Sequence, residues 1–343
     1  MSKLADNSLY QLTVMRFRIF FREPEAVFWI FVFPILLSIG LSIAFRNRPP
    51  EILHVAGTTE QVTASLNTDK TLHAITMTES DGRHALATGG ILLLAIQQPD
   101  RIVFQYDKTN PDARTASLIA DRAIQHAAGQ KDVIQLKESQ IQETGSRYID
   151  FVIPGLLGMN LMSSAVWGIG FAIVEARHKK LLKRLVASPM PRWQYLGSFL
   201  LSRLLLLIIE VGVFLGFAHF VFKVPFRGSL WELAFLCVLS SLSFSALGLI
   251  LSSRAKTMEA ASGLMNLAML PMWIVSGVFF SSTRFPHVLQ PFIRALPLTA
   301  AIDALRANML QGTSLAHLLN PVITLSLWLV VTFALSLRLF RWR

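Results

Sequence analysis

The stretch "EARHKKLLKRLVASPMPRWQYL", Glu175 to Leu196, is the densest basic run in a chain of 343 residues, and long apolar segments flank it on both sides. From Glu175 to Ala187 the residue types favour helix. Leu181, Leu182, Leu185 and Val186 share one stripe, and Lys179, Lys180, Lys183 and Arg184 crowd the remainder. Pro189 and Pro191 end that helix and stiffen the turn into the next apolar segment. The pattern predicts a short, rigid amphipathic helix over 175–188 at a membrane face. Two readings fit these residues: an anchor lying on anionic lipid, and a docking helix for a cytoplasmic partner.

The rest of the chain explains why such a helix stands there. Hydrophobic residues make up 53% and charged residues only 15%, too apolar for a soluble globule of this length. Six segments approach or exceed the ~20 residues that cross a hydrocarbon core. They are Ala26–Phe45, Tyr148–Val174, Gly197–Phe222, Leu230–Ser253, Leu264–Ser282 and Pro321–Phe340. Trp29, Trp167, Trp231 and Trp328 lie in or near span ends, as interfacial anchors do. Pro34, Pro154 and Pro271 fall inside spans, where neighbouring helices must satisfy the freed carbonyls. Cys237 is the lone cysteine, so no disulfide forms within the chain. The first residues lack a short apolar core with a small-residue cleavage site, and no removable signal peptide is expected.

Orientation follows from Lys and Arg in the short loops. The N-terminal segment, the Glu175–Leu196 loop, the Arg254/Lys256 loop and the C-terminal tail together hold fifteen, against five in the short loops of the opposite side. Both termini are therefore expected in the cytoplasm. The formal charge of +11 is a topology signal, and nucleic acid is not expected as a partner.

The long interval 46–147 has 11 basic and 12 acidic residues, and is expected to face outward as a small α/β domain. "ILHVAG", "GILLLAI" and "RIVFQYD" read as strands, with helices over Thr59–Asn67 and Asn110–Ala128. Gly89-Gly90 reads as a turn into a strand. The eight histidines show no metal-ligand spacing. The fold class is thus an α-helical polytopic membrane protein with six transmembrane helices, N-in and C-in, and an extracytoplasmic α/β domain between spans 1 and 2.

Residues 1–25 repeat the basic-amphipathic theme. Leu9, Leu12, Met15 and Ile19 recur at helical spacing, Arg16, Arg18 and Arg22 accompany them, and Pro24 bends the chain into the first span, 26–45. Within the membrane, Glu210 stands near the middle of the third span, a costly place for a carboxylate, with Arg203 two turns earlier on the same face. A structural role and a place in a substrate path or subunit interface both remain open, and Asn160 in the second span joins this candidate set. Ser241, Ser245, Gly248 and Ser252 form a small-residue stripe that predicts close helix packing. Three prolines, Pro286, Pro291 and Pro297, break the apolar stretch 284–312 into two half-length helices, with Asp303 and Arg306 three apart on one of them.

At these residues the chain resembles the permease subunits of type-2 ATP-binding-cassette exporters, in the branch with a large outward domain after the first span. "YIDFVIPGLLGMNLM" at Tyr148–Met162 is similar to the family's entry to the second span. "EARHKKLLKRLVASPMPRWQYLGSFL" is similar to its cytoplasmic coupling segment, a Glu-Arg pair before a Leu-x-x-Leu helix. "PMWIVSGVFFSSTRFPHVLQPFIRALPLTAAIDALRANMLQG" at Pro271–Gly312 is similar to its outward hairpin. Where the family often has Glu-x-Gly-Thr, this chain has His178, Lys179, Lys180 and Leu181.

The resemblance implies an ATP-driven exporter permease that moves an amphipathic or lipid-linked substrate, or a drug, outward across the inner membrane. It implies separate nucleotide-binding ATPase subunits that carry the ATP and magnesium, and a second permease copy, identical or related. The chain has no G-x-x-x-x-G-K-[ST] loop and is not expected to be an enzyme or to bind a cofactor itself. The ATPase-coupling contact would fall on Glu175, Arg177, Lys180, Leu181, Lys183, Arg184 and Leu185, with Arg16, Arg18 and Arg22. Asp303 and Arg306 would belong to an outer gate. The alternative is a membrane sensor, with an extracytoplasmic ligand-binding domain and a cytoplasmic docking helix.

Overall fold

The computed structural model describes residues 8–45, 52–130, 147–178, 192–253, 255 and 257–339. It divides into two compact units, a helical one formed by 1–46 with 141–343 and a smaller one formed by 47–140.

In the helical unit, α1 (Ser8–Arg22) ends at Glu23, and α2 (Pro24–Ala44) follows as the first apolar span. Pro24 suits this start because the first turn of a helix needs no amide there. A π-helical turn, Phe28–Val32, interrupts α2 just before Pro34.

The smaller unit runs β1 (Leu53–Gly57), α3 (Glu60–Leu66), β2 (Leu72–Thr76), α4 (Glu79–Ala87), β3 (Leu93–Gln97), β4 (Ile102–Gln105) and α5 (Pro111–Ala127). Its sheet has the order β2-β1-β3-β4, with β1 parallel to β2 and β3, and β4 antiparallel to β3. Side chains from alternate strand positions fill two cores. Val55, Leu72, Leu93 and Ala95 pack with α3 and α5 on one face, and Ala56, Leu94 and Ile96 with α4 on the other. Thr59 and Asn110 cap α3 and α5, so each helix begins one residue inside the range the sequence predicts. Gly89, at φ +74°, makes the turn before β3. The alternation-based reading missed β2 and α4. The five residues of β2 alternate only weakly, and α4 carries Gly82 and four charged or histidine side chains.

The remaining helices are α6 (Tyr148–His178), α7 (Arg192–Phe222), α8 (Leu230–Ser252), α9 (Met258–Val275), α10 (Gln290–Ala295), α11 (Pro297–Gln311) and α12 (Leu319–Leu339). With α2, the helices α6, α7, α8, α9 and α12 supply six segments long and apolar enough to cross a membrane. The second and fourth spans, α6 and α8, form the centre: 61% of each apolar window is buried, against 11–22% in the other four. The small-residue stripe on α8 does what its spacing predicts. A Cβ on Gly248 would meet the Val166 backbone at 2.8 Å, so glycine is what lets α8 lie against α6.

The fifth span differs from its sequence-based bounds. Thr257 caps α9 and Gly277, at φ +84°, follows its end, so the helix covers 258–275 and not 264–282. The hairpin forms the two short helices expected, α10 and α11, bent by 83° at Leu296–Pro297. The Trp328 indole of α12 donates to the Ala295 carbonyl beside that bend at 2.7 Å. Of the helix expected over 175–188, α6 carries the chain as far as His178, and residues 179–191 lie outside the described ones.

Candidate functional site

A buried polar cluster joins three spans in the helical unit. Arg203 and Glu210 lie seven residues apart on α7, so two helical turns bring them to one face. Arg203 Nη1 stands 3.4 Å from Glu210 Oε2, and both side chains are almost wholly buried. Ser164 of α6 stands between them. Its hydroxyl accepts from Arg203 Nη2 at 2.8 Å and reaches Glu210 Oε1 at 2.8 Å and Oε2 at 3.0 Å. Ser241 of α8 accepts from Arg203 Nε at 3.2 Å.

Sequence spacing found the ion pair but assigned Ser241 to helix packing. A serine between bulky neighbours reads the same whether its hydroxyl faces a backbone carbonyl or a charge on another helix. The charges neutralise one another where water is scarce, and the fork of the guanidinium ties α6, α7 and α8 together.

Asn160, grouped with this pair from sequence, does not join it. Its Nδ2 donates to the Ile30 carbonyl of the first span at 3.1 Å. That carbonyl is the acceptor that residue 34 would normally satisfy, and Pro34 has no amide to give. Asn160 therefore repairs the backbone break at the π-helical turn. Ser38 assists by donating to the Pro34 carbonyl at 2.7 Å.

On the hairpin, Arg306 does more than pair with Asp303, which lies 3.8 Å away and is half-exposed. Arg306 Nη2 donates to the Gly277 carbonyl at 2.8 Å and to the Phe151 carbonyl at 3.2 Å, and the guanidinium lies 3.9 Å over the Phe151 ring. It thus fastens α11 to the end of α9 and to the start of α6. Nearby, the Glu232 carboxylate of α8 accepts from Asn308 Nδ2 and from the Leu315 amide, both at 3.1 Å. At the start of α6, Arg147 forms a two-pronged pair with the buried Asp150 at 2.9 and 3.0 Å and donates to the Phe222 carbonyl at 2.9 Å. The Glu232 contacts and the Arg147–Phe222 contact were not foreseen, because each joins residues about seventy-five or more apart, and the local Arg147–Asp150 pair was not singled out.

The basic elements divide. α1 packs against α7, and Thr13, Val14, Phe17 and Arg18 line an apolar groove with Leu205, Ile208 and Ile209. Arg16 is half-buried, while Arg18 and Arg22 are exposed. Glu175 is exposed near the end of α6, and Arg177 occupies its last turn. Lys180, Leu181, Lys183, Arg184 and Leu185 lie outside the described residues. Among the described residues no group of three or more His, Cys, Asp or Glu side chains could hold a metal ion.

Comparison with known proteins matches this architecture. The family model described as "ABC-2 family transporter protein" matches residues 25–338. The inner membrane transport permease YadH of Escherichia coli is 25% identical over 202 residues, 58% of this chain and 75% of the relative. The probable multidrug ABC transporter permease YbhR of the same organism is 24% identical over 191 residues, 56% of this chain and 52% of the relative. ABC transporter G family member 20 of Dictyostelium discoideum is 29% identical over 174 residues, half of this chain but 24% of the relative. Six apolar spans built around α6 and α8, with an α/β unit between the first and second, are thus found in a chain that a single transporter family model covers almost end to end. The chain belongs to the ABC-2 transporter family, as a multi-pass inner-membrane permease component of an ABC-type transport system.

Proposed function

We propose that this permease exports its substrate, working as one of a pair of permease chains driven by separate ATPase subunits that dock on its cytoplasmic side. Both termini lie in the cytoplasm and unit 47–140 lies outside. Residues 1–25 form the interfacial segment, 26–45 the first span, and 148–343 carry spans 2–6 with the coupling helix 175–188 and the outward hairpin 284–312. One observation carries the reading. α1 packs on the Leu205–Ile209 stretch of α7, the span that the chain enters directly from the 175–188 segment. Two basic amphipathic elements, far apart in sequence, would therefore act on one span, the 175–188 segment at its start and α1 near its middle. A push on either would be passed to α7 and through Arg203, Glu210 and Ser164 to α6 and α8.

ATP binding would draw the two ATPase subunits together and press on these two elements, shifting the spans between inward- and outward-open arrangements. Leu181 and Leu185 would supply most of the docking energy, because exposed ion pairs of Lys180, Lys183 and Arg184 with acidic groups contribute only ~0–1 kcal/mol each. Glu175, Arg177, Arg16, Arg18 and Arg22 complete that surface. Asp303 and Arg306 would hold the outer gate. The relative described as a multidrug permease favours an amphipathic substrate.

The test replaces Leu181 and Leu185 together by Asp in the co-expressed complex. Export should fail and ATP turnover should no longer respond to substrate, while the permease still reaches the membrane. Normal export with normal assembly would refute the docking assignment. Orientation is checked separately: a membrane-impermeant thiol reagent should leave Lys180→Cys unlabelled in intact cells, and labelling from outside would invert the topology.

A further inference from the structure

The two edges of the sheet in unit 47–140 are unlike one another. On the β2 side the chain folds back over the edge. Asn67 Nδ2 donates to the Ala74 carbonyl at 3.0 Å, Asn67 Oδ1 accepts from the Ala74 amide at 2.8 Å, and the Leu72 amide donates to the Asp69 carbonyl at 3.1 Å. The side chain of Asn67 stands where a neighbouring strand's peptide group would, so this edge is closed.

On the other side β4 ends the sheet, and no described element pairs with it externally. Gln98 and Arg101 exchange both backbone hydrogen bonds, at 2.8 and 3.4 Å, and Val103 stands opposite Ile96 in the same ladder. Antiparallel alternation then turns the amides and carbonyls of Ile102 and Phe104 outward. Beside them a cleft of about 490 Å³ runs between β4 and α5, lined by Ile102, Phe104, Asp121, Ile124 and Gln125.

The charges around this edge select what fits it. In "RIVFQYD", Arg101–Asp107, a strand running antiparallel with Phe104 opposite its own counterpart sets Arg101 against Asp107 at both ends, while Asp100 and Lys108 lie in the turns that flank β4. A slip of two residues either way, the smallest that still matches outward-facing groups, leaves Arg101 and Asp107 without an opposite partner. Arg101, Asp107 and Lys108 are exposed. Thr109 donates to Asp107 Oδ1 from its amide at 2.8 Å and from its hydroxyl at 2.7 Å, which fixes that carboxylate at the end of the strand. The segment is complementary to itself, the requirement for an interface about a two-fold axis. The even-numbered side chains of the added strand would enter the cleft beside α5.

We propose that β4 pairs antiparallel with β4 of a second copy of this chain, about a two-fold axis at Phe104, joining two outer sheets into one. This rests on the two-permease reading above and adds to it that the copies are identical and meet through their outer units.

The test co-expresses two differently tagged full-length copies with the ATPase subunits, one carrying Val103→Cys and the other Gln105→Cys. In this register the two positions face each other as a non-hydrogen-bonded pair, with Cα atoms ~4.5 Å apart. That lies at the short end of the disulfide range. Mild oxidation should yield a linked band carrying both tags. Two Val103→Cys copies, out of register by two residues, should yield none, and neither should the parent with buried Cys237 alone. Arg101→Asp in both copies should reduce the linked band several-fold, and adding Asp107→Arg should restore it.

Capture through one tag before oxidation reports whether two copies associate at all. Co-purification without the Val103–Gln105 link, or with an equal link between two Val103→Cys copies, overturns the β4 pairing and leaves the two-permease reading standing. Failure of identical copies to co-purify overturns the pairing together with the identity of the pair.

Discussion

Arg203 and Glu210 meet through Ser164: the hydroxyl of the second span lies 2.8 Å from the guanidinium and 2.8 Å from the carboxylate of the third. Three spans therefore share one buried charge system. Removing one member leaves the other charged and unpaired. Glu210→Leu should cost about 3–5 kcal/mol, read as a lowered Tm of the purified permease, whereas the Arg203→Leu/Glu210→Leu double variant should recover most of that loss. A double variant as unstable as the single one would mean the pair is not the coupled unit. Glu210→Gln with full stability but no transport would move the residue from framework to pathway.

Asn160 and Pro34 make a second testable pair. Asn160→Leu leaves the Ile30 carbonyl buried without its donor, a loss of about 1–3 kcal/mol. Pro34→Ala supplies the missing amide, so the penalty of Asn160→Leu should shrink in that background. Equal penalties with and without the proline, by thermal unfolding of the four variants, would break the link.

At the 284–312 hairpin, Arg306→Lys should fail to replace arginine. An ammonium cannot reach two carbonyls and also lie flat on the Phe151 ring. The expected result is a lower Tm together with slowed transport. If Arg306→Gln left both unchanged, the hairpin would be a passive cap.

In unit 47–140, the Thr71 amide and hydroxyl both donate to Asp69 Oδ1, at 2.9 and 2.7 Å, and these bonds hold the carboxyl below its ordinary pKa. A group whose pKa is lower folded than unfolded stabilises the fold above its unfolded pKa and loses that contribution as pH falls through the folded value. Thr71→Val should move the Asp69 titration upward and leave less stability to lose in acid, seen by carboxyl NMR on a fragment spanning 47–140. An unmoved Asp69 titration would refute the assignment. The side chain is only half-buried and still meets solvent, so the stability change should be small.

Much of the framework was legible in one dimension. Unbroken apolar runs, the three prolines of 284–312 and the caps Thr59 and Asn110 each act within a few residues, so periodicity and local chemistry reveal them. The bounds of α9 were not legible, because Thr257 and Gly277 interrupt the apolar pattern too weakly to show which of them closes the helix. β2 was missed for a similar reason: it joins the sheet through its pairing with β1, while its own five residues carry little signal.

The candidate site was legible only in part. Glu210 announced itself because a carboxylate in an apolar run is expensive wherever the helix turns, and Arg203 followed from its spacing. Ser164, Ser241 and the role of Asn160 did not follow, since a hydroxyl or amide carries no mark of the helix it will face.

By itself the sequence determined that this chain crosses a membrane six times, where it interrupts those crossings with a folded unit, and which transporter permeases it resembles. Hydrophobicity, helical period and charge bias are sums over neighbouring residues and need no partner. Only the tertiary structure decided that Asn160 serves the first span, that one hydroxyl of the second bridges the ion pair of the third, and that one sheet edge is sealed while the other is open. Those outcomes depend on which donors and acceptors distant helices and strands bring within hydrogen-bond reach.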